Sequence, residues 1–398
     1  MRISTSQIYA QTISSVSSSL NEYTSVSNRV TTQKDINAPS DDPAGMGNVV
    51  NLRSYKQGLI SYYNNASLAE SLLGTADSML SQASTLMSSV LEQVEQGATG
   101  TYSDAQQQAM AETLMGYQDS LLSIANTKSG DDYLFSGEAT DTAPYEYVPG
   151  VTVTGDSPAK SDFLEFTGEL DDPIIVRITS DGTIGTDDIT YTYSTDGGDN
   201  WITGTITAPS TTIDFGDVAV EMNSGTAVTA WDDDEDTGSS FVVRNSLSYN
   251  GADEAMSIDI SGSTDVDVNT VGSDIFGGVD AETGLAYDDP NLFESISDAI
   301  AYMWIGDEDS VATTLETVRA GESQLTIEAA NVGSREEKTS YIKSSVESAI
   351  SLTGDAISDE EDADSAALTV ELSKAEYIYQ AVLSSTSKVI SMSILDYL

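Results

Sequence analysis

The 398-residue chain contains no His and no Cys. The commonest general base, the thiolate nucleophile and the usual zinc ligands are therefore all missing. What remains for chemistry is carboxylate, with 65 Asp and Glu against 15 Lys and Arg. Two clusters stand out. Trp231-Asp232-Asp233-Asp234-Glu235-Asp236 gathers oxygens of the kind that surround Ca²⁺. It lacks the alternating spacing and the distal Glu of an EF-hand loop, so it reads as a solvated acidic turn. Ser194-Thr195-Asp196-Gly197-Gly198-Asp199-Asn200-Trp201 sets Ser and Asp to brace a hairpin turn with Trp beneath it, a structural reading whose rival is carbohydrate binding. A Ser/Lys or paired-carboxylate mechanism is the enzyme class this composition still admits. The expectation is a protein with no catalytic residues, no cofactor and no metal.

The formal charge of −50 repels nucleic acid and anionic membrane, which excludes both as partners. Its plainest use is solubility in a salty setting, and the lack of Cys suits passage into an oxidising space. No apolar run reaches membrane-spanning length. Residues 1–30 hold Arg2 but no apolar core, being rich in Ser, Thr and Gln, so no cleavable secretory peptide is expected. By these rules alone the protein would be cytoplasmic.

The elements that must position anything here are long helices. Leu52, Tyr55, Leu59, Tyr62, Ala66, Ala69, Leu73, Ala76, Leu80, Ala83, Met87, Val90 and Val94 step by 3 and 4 without a miss. That is the seam of a long helix packed against partner helices, from near Ala44 to about Gln96. A thinner stripe precedes it over residues 1–35 (Ile3, Ile8, Ile13, Val16, Leu20), diluted by Ser and Thr. The loop Asn37-Ala38-Pro39-Ser40-Asp41-Asp42-Pro43 separates the two. Gly97–Ser103 turns the chain into a second helix opening at Asp104, with Met110, Leu114, Tyr117, Leu121 and Ile124 on one face; the two should form an antiparallel hairpin.

From roughly 141 to 286 helical periodicity stops. Runs at Ile174–Ile178, Ile189–Tyr193, Trp201–Ile206, Phe241–Val243 and Met256–Ile260 read as strands punctuated by Asp-Gly and Gly-Gly turns. Acidic residues there face only three cations, Lys160, Arg177 and Arg244. Helix is expected again after Asp289, as N-cap, and Pro290. A longer segment follows from about Asp307, its seam interrupted at Glu322 and Glu336. Ser358-Asp359-Glu360-Glu361 then reads as the capping box of a last helix. Leu368, Leu372, Ala375, Ile378, Val382 and Val389 stripe that helix, which ends in Ile394-Leu395-Asp396-Tyr397-Leu398. The fold class is thus mainly α, a long coiled-coil-like helical bundle built from both chain ends, with an inserted acidic β-rich domain. Three domains are expected: terminal helices 1–43 with 370–398, a long bundle 44–140 with 287–369, and an outer domain 141–286.

This layout resembles the flagellin family, and its details look like the hook–filament junction branch. Five stretches carry the resemblance: Met1-Arg2-Ile3-Ser4-Thr5-Ser6-Gln7; Gln33-Lys34-Asp35-Ile36-Asn37-Ala38-Pro39-Ser40-Asp41-Asp42-Pro43-Ala44-Gly45; Tyr133-Leu134-Phe135-Ser136-Gly137; Gly272-Ser273-Asp274-Ile275-Phe276; and the tail from Ser393 to Leu398. Asp35 departs from that branch, where a basic or small residue is usual. The resemblance covers the helical ends and leaves out the β insertion. It implies an extracellular structural protein, exported unfolded through the flagellar type III channel without a cleavable signal peptide. It would self-assemble as a ring between the other hook-associated junction protein and flagellin, and be escorted by an export chaperone. The assembly interface would then be Ile3, Ile8, Ile13, Val16, Leu20, Leu372, Ile378, Val382, Val389, Ile394, Leu395 and Leu398. The alternatives are a filament subunit, flagellin itself, or an adhesin whose β insertion binds glycans. The Ser194–Trp201 pattern is similar to one that sialidase-type β-propellers repeat across blades; here it occurs once.

Overall fold

The computed structural model describes residues 5–395 apart from Asp234, Asp236 and Glu282, with side chains from Gln7 to Val389. Seven α-helices are assigned among them: α1 (Thr5–Thr32), α2 (Pro43–Gly97), α3 (Asp104–Ala125), the short α4 (Gly272–Phe276), α5 (Leu292–Ile305), α6 (Glu308–Glu361) and α7 (Ser365–Leu395). The middle of the chain is β-rich, and helix dominates on either side of it. The chain forms two compact units, residues 1–64 with 342–398, and residues 65–341.

In the unit 65–341, the α2 residues Ala66, Ala69, Leu73, Ala76, Leu80, Ala83, Met87, Val90 and Val94 are all fully buried. Small Ala alternates with larger Leu, Met and Val, so neighbouring helices approach closely and the larger side chains fill what remains. Each full Leu burial contributes roughly 1.5–3 kcal/mol. α6 runs antiparallel to α2 here, with Arg319 bridging to Glu95 at 2.5 Å and the Glu336 carboxylate lying against Gly74. Val311, Thr314, Val318, Gly321, Leu325, Val332 and Thr339 of α6 are buried. The two interruptions expected at Glu322 and Glu336 lie off that row. The buried positions from 311 onward recur every seven residues, and the gap in the apolar pattern falls at Thr339. Thr339 donates its hydroxyl to the Arg335 carbonyl one turn back at 2.7 Å, which leaves only its methyl to fill the seam.

α3 buries Gln107, Met110, Ala111, Leu114, Gln118, Leu121 and Ala125. Tyr117 and Ile124, expected on that face, are only part-covered, because the stripe follows Ala111, Gln118 and Ala125 instead. Gln118 can sit inside because its amide donates to Ser297 Oγ of α5 at 2.8 Å. α5 begins at Leu292, not at Pro290: Asn291 is the N-cap, its side-chain oxygen accepting from Glu294 N at 3.1 Å. Asn291 was missed because Asp-Pro is the stronger sequence signal for a helix start.

The main sheet is built on a ten-residue strand. In chain order its strands are β1 (Tyr145–Val153), β2 (Ile174–Ile178), β3 (Ile189–Ser194), β4 (Ile202–Ile206), β5 (Ser240–Tyr249) and β6 (Val279–Asp280). One side of β5 pairs with β1 along its whole length, from Phe241↔Val153 to Tyr249↔Tyr145. The other side takes β2 antiparallel over its first residues and β6 parallel over its last two, and β3 and β4 extend the sheet beyond β2. A second sheet of Phe163–Gly168, Val218–Met222 and Thr212–Asp214 closes over it. Phe163, Ile213, Val218, Val220 and Met222 meet Val176, Ile178, Ile189, Tyr191, Phe241 and Val243 in one core. The strands at Tyr145–Val153, Phe163–Gly168 and Val218–Met222 escaped the sequence reading, the first because Pro149-Gly150 interrupts it.

In the unit 1–64 with 342–398, α1 lies along α7. Tyr23 stacks on Tyr379 with centroids 6.0 Å apart, and Arg29 bridges to Glu371 at 2.9 Å. α6 continues to Glu361, so Ser358–Glu361 is its last turn and not the start of the final helix. That start is capped by Asp364, whose Oδ1 accepts from Ala366 N and Ala367 N at 2.8 and 3.2 Å. Ser358 is engaged within α6, its hydroxyl bonding the Asp362 carboxylate.

Candidate assembly surfaces

Unit 1–64 with 342–398 holds the connector Gln33–Asp42, and each of its unusual residues has a local task. Gln33, at φ +58°, ends α1 in the left-handed region. Ile36 turns inward and is buried, resting on the first turn of α2. A β-carbon on Gly45 would fall 2.7 Å from Ile36 Cδ1 and 2.6 Å from the Asp42 carboxylate, so a larger residue there would push both side chains aside. Asp41 Oδ2 accepts from Asn37 N and Ala38 N at 3.0 and 2.8 Å, folding the connector on itself. Asp42 Oδ1 accepts from Ala44 N at 3.0 Å and caps α2, with Pro43 in the first helical position.

This connector is joined to the α6–α7 turn. Asp35 N donates to Glu361 O at 2.8 Å, and Ala363 N to Gln33 O at 3.0 Å. Glu361, 5 % exposed, takes Lys34 Nζ at 2.6 Å and Arg53 Nη2 at 2.5 Å. One nearly buried carboxylate thus ties the α1–α2 connector, α2 itself and the end of α6 together.

Beyond this node the apolar residues of α1 and α7 are incompletely covered. Ile8, Ile13, Leu20 and Ile378 are exposed, Ile13 by 64 %, while Val16, Leu372, Val382 and Val389 are part-covered. Tyr377 and Val370, which the sequence reading left out, stand 74 % and 70 % exposed. A groove of about 440 Å³ runs between the two helices, with Ile8, Val382 and Val389 on its walls. Ile3 and Leu398 lie outside the described residues, as do the side chains of Ile394 and Leu395. Of the four α2 positions Leu52, Tyr55, Leu59 and Tyr62, Leu59 is buried, Leu52 and Tyr62 are part-covered and Tyr55 is exposed.

Unit 65–341 fixes its β sandwich to its helices by a buried charge network. Arg244 of β5 is fully enclosed and bonds Glu294 through Nη1 and Nη2 at 3.1 Å each, with Nη2 also 2.7 Å from Asp298. Lys160 Nζ reaches Glu294 at 2.8 Å, and Ser246 donates to the same carboxylate. Burial pushes the Glu294 carboxyl up, but attraction to Arg244 and Lys160 overcomes this and holds it well below the usual range. Desolvation likewise opposes the Arg244 charge, and Glu294 with Asp298 more than offsets it, leaving the guanidinium more basic than usual.

The Ser194–Trp201 turn is a second fastening. Ser194 Oγ donates to Asp196 Oδ1 at 2.8 Å and accepts from Gly198 N at 2.8 Å. Asn200 donates to Asp196 through its backbone and side chain at 2.9 and 2.6 Å, and these bonds lower the Asp196 carboxyl to about 2. Gly197, at φ +72°, presents its carbonyl to Gln108 Nε2 of α3 at 2.9 Å. The turn is therefore a brace between sheet and helix. In the acidic turn, Asp233 takes Arg177 Nη1 at 2.9 Å and Trp231 Nε1 at 3.0 Å. Among the described residues no acidic cluster is arranged to hold a metal, and no helix is long and apolar enough to cross a membrane.

Residues 3–140 match the model of the bacterial flagellin N-terminal helical region. That match spans about a third of the chain. α1, the connector, α2 and α3 all lie within the matched stretch. The chain is 30 % identical over 151 residues to flagellar hook-associated protein 3 of Salmonella typhimurium, covering 38 % of this chain and 48 % of the relative. The protein of the same name from Escherichia coli is 31 % identical over 157 residues, covering 39 % and 49 %. The chain thus matches about half the length of these relatives. Among solved structures, a Vibrio parahaemolyticus protein described as flagellar hook-associated is 14 % identical, with a TM-score of 0.49 over 81 % of this chain and 100 % of that one.

Proposed function

We propose that this protein is a structural component of the bacterial flagellum, a hook-associated protein of the hook–filament junction, and not an enzyme. The observation that carries the reading is the α1–α7 pair. Two helices within a flagellin-type layout lie against one another yet leave Ile13, Val370 and Tyr377 more than half exposed. Exposed apolar residues concentrated on one helix pair point to a partner in the working molecule. Further copies of the same pair are its natural cover, which gives a ring closed by helix–helix contacts.

In this reading residues 1–43 with 370–398 are the assembly domain, 44–140 with 287–369 a coiled-coil-like bundle behind it, and 141–286 an outer domain facing solvent. The other junction protein lies on one side and flagellin on the other, with an export chaperone covering the apolar ends before assembly. The site of action is extracellular, reached by flagellar type III export without a cleavable signal peptide. A junction role is preferred to a filament role on two grounds. Both curated relatives are named hook-associated protein 3, and the connector reads Ser40-Asp41-Asp42-Pro43.

Deleting the gene in its own bacterium tests the reading. The expected phenotype is hooks without filaments, with flagellin released into the medium. Filaments still attached to hooks in the deletion strain would refute it. Spontaneous growth of the purified chain into long filaments would make it a filament subunit instead.

A further inference from the structure

We propose that the cleft lined by Trp231 and Arg177, in the unit 65–341, binds a neutral sugar ring. Arg177 of β2 lies between two indoles, its guanidinium carbon 4.7 Å from the Trp201 ring centroid and 5.0 Å from that of Trp231. Asp233 holds the arrangement by accepting from both Arg177 Nη1 and Trp231 Nε1. The stack borders a cleft of about 300 Å³, whose lining also includes the hydroxyl residue Ser240 and the turn into α6 at Asp307, Glu308 and Asp309. That volume is at the small end of ligand cavities, roughly 300–1,000 Å³, and has room for a single ring.

The lining selects the ligand class. Three carboxylates against one guanidinium, itself already paired with Asp233, exclude an anion. A cation would meet the guanidinium that already occupies the indole stack, and the carboxylates are not arranged to hold a metal. Of these carboxylates, Asp307 is also committed to its own helix, accepting from Ser310 N at 3.0 Å. A polyol suits the mixture that remains. Its hydroxyls donate to Glu308 and Asp309 and accept from Arg177, while its C–H groups meet the apolar lining of Ile175, Ile305 and Trp231. The Ser194–Trp201 turn supports this site indirectly, by carrying Trp201 to the far side of Arg177.

Intrinsic tryptophan fluorescence of the full chain tests the proposal, with methyl glucoside, methyl mannoside, methyl galactoside and N-acetylglucosamine each titrated as probes. At least one should give a saturable change. Binding should weaken about tenfold or more, the size of a lost apolar or charged contact, in Trp231→Ala and in Glu308→Gln/Asp309→Asn. The second variant keeps the turn and the indoles, and unchanged circular dichroism would show that it folds. The proposal fails if none of the four sugars gives a saturable change. It also fails if binding is unaltered in the folded Glu308→Gln/Asp309→Asn variant, or if sodium sulfate produces the same response.

Discussion

Two helical regions of this molecule share the same arithmetic and differ in outcome. In α2, the apolar positions from Ala66 to Val94 are sealed completely. In the α1–α7 pair, apolar residues at comparable spacing are left open, with Ile13 at 64 % and Tyr377 at 74 % exposed. Two physical differences separate them. The α2 stretch alternates Ala with larger side chains, so several helices can close around it, whereas α1 and α7 have one another and are diluted by Ser and Thr. Many of those hydroxyls return to their own helix, as Thr12 does to Ile8 O and Thr24 to Leu20 O. They contribute little to holding a partner in the same chain. Periodicity therefore tells which face of a helix is apolar. It does not tell whether the cover for that face belongs to the same polypeptide.

The largest effect should come from charging the sealed region. Leu73→Asp places a carboxylate where nothing can solvate it and should cost more than about 4 kcal/mol by urea unfolding. Ser71→Asp, on the exposed flank, should stay within about 0.5 kcal/mol. Equal tolerance of both would erase the contrast between the two regions.

Next comes the charge network beneath the sandwich. Arg244→Met leaves Glu294 with Lys160, half exposed, as its cation and with the Ser246 hydroxyl, and should cost about 3 kcal/mol. The pH dependence carries a sign. The folded Glu294 carboxyl lies below its unfolded value, so its contribution is complete above about pH 4.3 and is lost as pH falls below that. In Arg244→Met the main attraction is gone and burial dominates, so acid unfolding should lose that part of its slope. An unchanged slope would show that Glu294 is not held by Arg244.

Smaller still is Glu361→Gln, which keeps the shape of the node and removes its charge; about 1–2 kcal/mol is expected. Amide exchange should quicken at Asp35 and Ala363 before it does in α2. The smallest effect on the isolated chain should come from Ile13→Ser with Tyr377→Ser, within about 0.5 kcal/mol, while the proposed junction assembly is lost. A large loss of monomer stability instead would mean that these side chains are covered within the chain after all.

The long elements were legible because a stripe repeated over a dozen turns outweighs local ambiguity. α2 runs Pro43–Gly97 where Ala44 to about Gln96 was expected, and Ile174–Ile178 is a strand as its β-branched run indicates. What escaped was polar. Thr339 and Gln118 occupy buried positions because their hydrogen bonds are satisfied inside, and a hydropathy reading counts both as gaps. Asn291 and Asp364 cap helices whose starts were assigned to neighbouring residues, where Asp-Pro and Ser-x-x-Glu gave the stronger local signal. Nothing in the sequence marked Arg244 as the partner of Glu294, since fifty residues and a sheet lie between them. Nor could spacing alone reveal Arg177 between Trp201 and Trp231, three residues drawn together from one strand and two turns.

The Glu361 node also sets a limit on how far the chain can come undone. α1 and α7 both lead away from it, so opening of the pair that starts far from the node travels toward it. The front passes the part-exposed Arg29–Glu371 pair and reaches Gln33 and Ala363, where backbone pairing and a carboxylate shared by two cations stop it. The result is a rope whose whipping is tied at one point. Its strands can open and close again many times without the register of α2 against α6 ever being lost.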